Sequence, residues 1–154
     1  MNTTISEFDQ IACDAKVQIE YQSQQTVWAD IDSPRFRQVI RNLLSNATKF
    51  SPAGSTVQVE LRKDSTGECF EVLVSDQGPG IPEDEVHSIF EKFKQSTRTN
   101  TGAGGTGLGL AISREIVAAH HGWIWACNSS SGGACFVVMI PLQFGKQLLH
   151  SEAA

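Results

Sequence analysis

The segment FRQVIRNLLSNATKF, residues 36–50, decides the fold because its apolar side chains recur at helical spacing. They occupy positions i, i+3, i+4, i+7, i+8 and i+11, which is one stripe along a helix that must be buried. Asp32 or Ser33 is suited to cap the start of this helix, where Pro34 is tolerated. The stripe consists of Phe36, Val39, Ile40, Leu43, Leu44 and Ala47.

The same helix carries a polar edge beside the buried stripe. At 100° per residue, Asn46 lies about 40° from Asn42, and Lys49 lies about 20° on the other side of Asn42. Asparagine is a poor helix-interior residue, so two of them one turn apart at the margin of a buried face indicate a function. An amide oxygen suits Mg²⁺, and a lysine suits the phosphates that Mg²⁺ would bridge. A polar face exposed to solvent is the alternative interpretation.

Outward from this helix, the apolar period changes to two, which predicts strands. A hairpin is expected from 57–61 and 70–74, and further strands from 17–21, 26–30, 123–128 and 134–140. The other predicted helices are a short one near the start, capped by Thr4 and Glu7, a short one with Val86, Ile89, Phe90 and Phe93, and one from about 107 to 119. This mixture predicts an α+β fold, a two-layer α/β sandwich with a mixed sheet covered by helices on one face.

Composition limits the function classes. The chain has 154 residues, 40% of them hydrophobic, and a net charge of −5, which argues against a general nucleic-acid surface. Its four cysteines form no C-x-x-C pair, so we expect reduced thiols rather than zinc ligands or disulfides. No apolar run approaches the ~20 residues needed to cross a bilayer, and no signal peptide is evident. We expect a cytoplasmic domain without membrane contact.

The segment Asp76-Gln77-Gly78-Pro79-Gly80 directly follows a predicted strand. A carboxylate at a strand end can accept a hydrogen bond from an exocyclic amino group such as that of adenine, and the glycines allow a flat base to approach the backbone. An ordinary D-x-G turn is the alternative.

The glycine-rich segment 102–109 leads into a predicted helix, where backbone N–H groups can bind an anion. Gly102, Gly104 and Gly107 fit the dinucleotide pattern G-x-G-x-x-G, but that pattern requires a preceding strand and an acidic residue about 20 positions onward. The preceding segment is a polar loop and the downstream region has no acid, so dinucleotide binding is rejected. The chain also has no Walker G-x-x-x-x-G-K-[ST] motif.

Taken in order, these segments resemble four motifs of the sensor histidine kinases. Residues 42–50, Asn42-Leu43-Leu44-Ser45-Asn46-Ala47-Thr48-Lys49-Phe50, resemble the N box, and Asp76-Gln77-Gly78-Pro79-Gly80-Ile81 resembles the G1 box. Ile89-Phe90-Glu91-Lys92-Phe93 is similar to the F box, and Gly105-Thr106-Gly107-Leu108-Gly109-Leu110 is similar to the G2 box. The likeness implies the Bergerat ATP-binding fold, which DNA gyrase, mismatch-repair ATPases and heat-shock chaperones share. It implies three parts: 1–16, a short helix that once joined an absent dimerisation domain; 17–143, the ATP-binding catalytic domain; and 144–154, a C-terminal tail.

The resemblance also implies a role for each matching residue. Asn46 would coordinate Mg²⁺ and Asn42 would lie beside the triphosphate; with Lys49, which contacts phosphate, they form the expected catalytic group. Phe50 would flank the base or ribose, and Asp76 would accept from the adenine amino group. The segment 94–106 would be a mobile lid whose Lys94 and Arg98 reach the γ-phosphate. The remaining ATP-binding residues implied are Gly78, Gly80, Ile81, Phe93, Gly105, Thr106, Gly107, Leu108 and Gly109.

The resemblance finally implies what lies outside this chain. Relatives that hydrolyse ATP place a glutamate where Asn42 stands, and an amide cannot act as a general base, so hydrolysis should be slow. The implied partners are a dimerisation and histidine phosphotransfer domain and, downstream, a response regulator. None of His87, His120, His121 and His150 has the context of the phosphoacceptor, and His120 and His121 are expected to be favourable charges at a helix end. A regulatory nucleotide-binding module and an anti-sigma-factor-type serine kinase are the alternatives.

Overall fold

The computed structural model of the chain describes residues 1–98, 106–129 and 132–142. A 3-10 turn forms at Ser88–Phe90. The helices and strands, in chain order, are α1 (Asn2–Ser6), α2 (Asp9–Asp14), β1 (Gln18–Ser23), α3 (Ser33–Phe50), β2 (Thr56–Lys63), β3 (Cys69–Ser75), α4 (Gly109–Ala119), β4 (Trp123–Asn128) and β5 (Ala134–Pro141).

The five strands form one mixed sheet in the order β1-β2-β3-β5-β4. β1 runs parallel to β2, whereas β2–β3, β3–β5 and β5–β4 are antiparallel pairs. Val59 lies opposite Val74, and Val74 lies opposite Phe136, so the inward positions of three strands line up across the sheet. The predicted α+β sandwich with a mixed sheet and the predicted hairpin are both confirmed.

Helix α3 forms as its sequence predicts. The carboxylate of Asp32 accepts a hydrogen bond from the backbone N–H of Arg35 at 3.0 Å and so caps the helix. All six apolar residues of the stripe are buried, with Leu43 and Leu44 at 0% exposure. Replacing either leucine with alanine would cost about 2–5 kcal/mol, because it removes burial and leaves a cavity. The helix therefore holds its polar edge in a fixed position.

Helix α4 packs against α3 and is tied to it near both ends. Near its start, the Asn42 amide donates to the Gly109 carbonyl at 2.9 Å. At its end, the imidazole of His120 is buried, and its Nε2 accepts the N–H of Asp32 at 2.9 Å. Since a backbone N–H can only donate, the proton lies on Nδ1, which is 2.7 Å from the Ile116 carbonyl. His120 is thus a neutral cross-link between helices, and the prediction of a charge at the helix end is wrong for it.

The structure corrects three other predictions. Residues 26–30 form no strand, and Trp28 among them is 86% exposed. The expected first helix is two short helices, and Thr4 lies inside α1 without capping it. Phe93 lies beyond the 3-10 turn with a φ of +63° and is 75% exposed, so the F-box segment is not the helix that its apolar spacing indicated.

Residues 1–16 join the core, since Ile5, Phe8 and Ala12 are buried. The predicted boundaries at residues 16 and 143 stay predictions, and the tail 144–154 lies outside the described residues. In the part of the chain that the structure describes, no helix combines the length and apolar character needed to cross a bilayer.

Candidate functional site

A cavity of about 280 Å³ opens between α3, the ends of β3 and β5, and the start of α4. Its size is near the lower end of small-molecule sites, which are ~300–1,000 Å³. It is lined by Asn42, Ser45, Asn46, Lys49, Phe50, Asp76, Pro79, Gly80, Ile81, Ile89, Lys94, Gln95, Ser96, Thr106, Gly107, Gly109, Leu110, Ala134 and Phe136.

Asn42 connects the two helices that border the cavity. Its amide nitrogen donates to the Gly109 carbonyl at 2.9 Å and to the Ser113 hydroxyl at 3.1 Å. Because the Gly109 carbonyl can only accept, these bonds fix which end of the amide carries the nitrogen. The amide oxygen is therefore the atom left to meet a ligand.

Asn46, Lys49 and Phe50 continue the same edge of α3 along the cavity. Asn46 is half-buried and Lys49 is exposed. The Lys49 ammonium lies 5.2 Å from the centre of the Phe50 ring, so the last turn of the helix presents a cation beside an aromatic face. A metal would find a hard neutral oxygen at Asn46, and phosphates would find the Lys49 charge.

Asp76 lies at the opposite end of the cavity, directly after β3, and is 7% exposed. Burial, the largest influence, raises the pKa of its carboxyl, while hydrogen bonds from the backbone of Ala134 and Gly78 act to lower it. Those N–H groups donate at 3.0 and 2.9 Å, and both reach the same oxygen, Oδ1. Among the described residues, Oδ2 thus keeps its lone pairs for a ligand donor in the cavity.

The wall next to Asp76 is held by Asn128, at the end of β4. Its amide oxygen accepts the Ile81 N–H at 2.8 Å, and its amide nitrogen donates to the Ile81 carbonyl at 2.7 Å. Gly80 fits beneath this pair because a Cβ there would lie 2.8 Å from the Asn128 oxygen, and its φ is +73°. Sequence reasoning missed Asn128, because a single asparagine at the end of a strand has no recognisable spacing to other site residues.

The start of α4 faces the cavity from the side of Asn42. Gly109 and Leu110, the first residues of the helix, line it, and Leu108 makes no side-chain cap. The first N–H groups and the positive helix end are therefore available to an anion. Gly107 precedes them with a φ of +68°, and a Cβ there would lie 2.9 Å from the Phe93 backbone.

The loop after the 3-10 turn borders the cavity through Lys94. Arg98 donates to the carbonyl of Pro79 at 2.9 Å, and the Thr97 N–H donates to the Glu85 carboxylate at 3.0 Å. Hydrogen bonds from Thr97 and Ser96 lower the pKa of Glu85. In this structure Arg98 thus contacts the Asp76 end, whereas its predicted partner is the γ-phosphate.

The structure brings together most of the predicted site residues. Eleven of them line the cavity: Asn42, Asn46, Lys49, Phe50, Asp76, Gly80, Ile81, Lys94, Thr106, Gly107 and Gly109. Gly78 lies behind Asp76 as a donor, while Phe93, Arg98 and Leu108 are not among the lining residues. Gly105 and the lid residues 99–105 lie outside the described residues. The apolar floor of the cavity, formed by Ile89, Ala134 and Phe136, was not predicted as part of the site.

The cavity has two chemically distinct ends. One end offers the buried carboxylate oxygen of Asp76 over an apolar floor, which suits a purine with an amino group. The other end offers the cations of Lys49 and Lys94, the amides of Asn42 and Asn46, and the start of α4, which suit phosphates and Mg²⁺. A metal held there would neutralise phosphate charge, and Asn46 is the residue whose oxygen fits it. Fold and site together define an ATP-binding domain of the kind found in sensor histidine kinases.

Comparison with known proteins supports this class. The family model described as histidine kinase-, DNA gyrase B- and HSP90-like ATPase matches residues 31–144. The sensor histidine kinase TmoS of Ectopseudomonas mendocina is 38% identical over 138 residues, which is 89% of this chain and 14% of TmoS. The solved structure of the mycobacterial sensor histidine kinase MprB has a TM-score of 0.81 at 30% identity and covers 91% of both chains. Full-length ShkA in complex with AMPPNP has a TM-score of 0.76 at 29% identity, over 91% of this chain and 28% of ShkA.

The family model covers well over half of the chain. The chain belongs to the histidine kinase-, DNA gyrase B- and HSP90-like ATPase family. It is similar in particular to the ATP-binding catalytic domain of two-component sensor histidine kinases. It spans only 14% of the length of TmoS.

Proposed function

We propose that this domain transfers the γ-phosphate of Mg-ATP to a histidine on a separate dimerisation domain of its parent kinase, from which a response regulator then receives it. The observation that carries the proposal is the position of Asn42 between the cavity and the start of α4. An amide there can orient a triphosphate but cannot remove a proton from water, which favours keeping the γ-phosphate for a stronger nucleophile.

The residues of this chain would act by binding and orienting. Asp76 accepts from the adenine amino group through Oδ2, and Phe50 flanks the base or ribose. Asn46 offers its oxygen to Mg²⁺, which supplies neutralisation of phosphate charge when bound. Lys49 and Lys94 add positive charge, and the N–H groups at the start of α4 hold the phosphate oxygens. We propose a cytoplasmic location for this domain, without contact with nucleic acid or membrane.

The proposed acceptor lies on another domain, and the described histidines support this. His120 is buried at the far end of α4, and both of its ring nitrogens make hydrogen bonds. His87 and His121 are exposed and do not line the cavity. In-line transfer requires near-contact with the γ-phosphate, and misplacement by even ~1 Å is costly.

The test is a phosphotransfer assay with radiolabelled ATP and Mg²⁺. We expect the domain alone to remain unlabelled, while adding a dimerisation domain with its acceptor histidine yields an acid-labile phosphoprotein. An acid-stable product would instead indicate a serine kinase of the same family. Labelling of the isolated domain at His87, His120, His121 or His150 would overturn the assignment of the acceptor.

A further inference from the structure

Two cysteines lie directly opposite each other at the end of the sheet nearest the nucleotide cavity. Cys127 on β4 is the register partner of Cys135 on β5. The two residues are in contact, since the Cys127 sulfur lies 3.8 Å from the Cys135 carbonyl oxygen. The buried Ala126 faces the helices, so alternation puts Cys127 on the other face of the sheet.

The two thiols differ in access. Cys127 is exposed, whereas Cys135 is partly covered and lies opposite Ser75 of the neighbouring strand β3. Burial raises the pKa of the Cys135 thiol. An oxidant dissolved in water therefore meets Cys127 first, and Cys135 is the neighbour able to attack the oxidised sulfur. The other cysteines lie elsewhere: Cys69 is at the opposite end of β3, and Cys13 is on α2.

The next residue pair in the same ladder holds the base end of the cavity. Asn128 lies opposite Ala134. Asn128 makes two hydrogen bonds to Ile81, and Ala134 makes two to Asp76, one from its N–H to Oδ1 and one to its carbonyl from the Asp76 N–H. A change in the distance between β4 and β5 at the cysteines thus acts on both walls of the pocket.

We propose that Cys127 and Cys135 form a reversible cross-strand disulfide in the presence of a peroxide, and that this bond weakens ATP binding. The Cys127 thiolate attacks the peroxide oxygen and becomes a sulfenic acid as hydroxide leaves. The Cys135 thiol then attacks the Cys127 sulfur, its proton and the departing hydroxide form water, and an S–S bond closes. Two thiols and one hydrogen peroxide give one disulfide and two waters, and a dithiol such as dithiothreitol reverses the change.

The expected size follows from strand geometry. Opposite residues of an antiparallel pair have Cβ atoms about 4.5–5.5 Å apart, whereas a disulfide needs about 3.5–4.5 Å. Closing the bond draws the strands together by roughly 1 Å, enough to misalign groups that must be placed to within that distance. This inference rests on the proposed ATP site, and we expect the affinity for ATP to fall at least about tenfold.

The experiment treats the whole chain with hydrogen peroxide and compares it with Cys127→Ser and Cys13→Ser. The unaltered chain should lose about 2 Da, yield a 127–135 cross-linked peptide, and bind ATP about tenfold more weakly until dithiothreitol is added. Cys13→Ser should behave identically. Cys127→Ser should keep its affinity throughout. Amide exchange at residues 76–81 and 132–136 should quicken on oxidation, which reports the coupling without nucleotide.

Failure of the disulfide and failure of the ATP site give different results. If the reduced chain binds no ATP, the proposed function fails, while peptide mapping and amide exchange still decide the coupling. Cysteines 127 and 135 linked only between molecules, or oxidised to sulfinic acid without a bond, would overturn the inference. A 127–135 disulfide that leaves both ATP affinity and amide exchange unchanged would overturn it equally.

Discussion

The two ends of the nucleotide cavity are held in different ways. At the base end, Asp76 and Ile81 follow a central strand and are fixed by hydrogen bonds from β5 and β4. At the phosphate end, one side is the helix edge with Asn46, but the other is the loop with Lys94, which is bound through contacts such as the exposed Thr97–Glu85 bond. The base end is therefore built before ATP arrives, while part of the phosphate end depends on a loop.

The largest effect should come from the helix side of the phosphate end. Asn46→Ala removes the proposed metal ligand and should lower phosphotransfer to an added dimerisation domain by at least about 100-fold, since even supporting residues of metal sites cost 10–100-fold. The assay is initial-rate transfer with saturating Mg-ATP. Arg41→Ala is the control: Arg41 is on the same helix as Asn46, and its loss removes only an exposed ion pair with Glu7, so the rate should change little. An equal loss of transfer rate in both variants would show that Asn46 does not bind the metal.

At the base end, Asp76→Asn should weaken ATP binding by about 10- to 100-fold. The change keeps the size of the side chain, but an amide NH₂ can then face the adenine amino group, and a mismatched buried hydrogen bond costs roughly 1–3 kcal/mol. Calorimetric titration with ATP and GTP measures it. The unaltered domain should prefer ATP, and equal binding of the two nucleotides would sink the assignment.

The same substitution should have the opposite effect on stability. Burial raises the pKa of Asp76, so its folded form is protonated at pH values where the unfolded carboxyl has ionised. The loss of folding stability caused by ionising the buried carboxyl is therefore absent below the ordinary pKa of about 4. It grows as the pH rises from there through the pKa of the folded state. We expect the Tm of Asp76→Asn minus that of the unaltered chain to increase from pH 4 to pH 7. A constant difference would show that the carboxyl is not desolvated.

Asn128→Ala tests whether the base end is as fixed as the hydrogen bonds suggest. The substitution leaves the N–H and the carbonyl of Ile81 without their hydrogen-bond partners, which should lower the free energy of unfolding by about 1–3 kcal/mol. ATP affinity should fall by less than in Asp76→Asn, about three- to tenfold, because the contact with the base is indirect. Denaturant unfolding and calorimetric titration supply the two numbers. An affinity loss without a stability loss would mean that Asn128 touches the ligand itself.

The smallest effect belongs to the loop. Glu85→Gln weakens the acceptor of the Thr97 N–H, and we expect trypsin to cut after Lys94 or Arg98 about two- to threefold faster, as suits an exposed contact. Mg-ATP analogue should slow the cut in both proteins, as the lid hypothesis for 94–106 requires. Glu83→Gln, an exposed change in the same segment, is the control. Cleavage that is insensitive to nucleotide would contradict the lid.

The sequence predicted what is local and periodic. The buried stripe of α3, the β2–β3 hairpin and the polar edge with Asn42 and Asn46 follow from spacing alone, and four ordered motifs supplied the family. It could not predict what depends on distant partners. The segment 26–30 has β-forming residues, but it pairs with none of the five strands, and its sequence alone does not show whether a partner strand lies alongside. Phe93 and Asn128 likewise owe their positions to Gly107 and Ile81, far along the chain.

The cross-links between α3 and α4 have a mechanical consequence. Asn42 holds Gly109, and eleven residues later along α4, about 16 Å at 1.5 Å per residue, His120 holds the N-cap of α3. Because the two contacts are that far apart, they fix the angle between α3 and α4, and the pair resists tilting of one helix against the other. When phosphates bind at the start of α4, that helix therefore cannot shift without α3 and the sheet on which α3 packs. Binding of phosphates at the start of α4 is therefore expected to leave the angle between α3 and α4 unchanged.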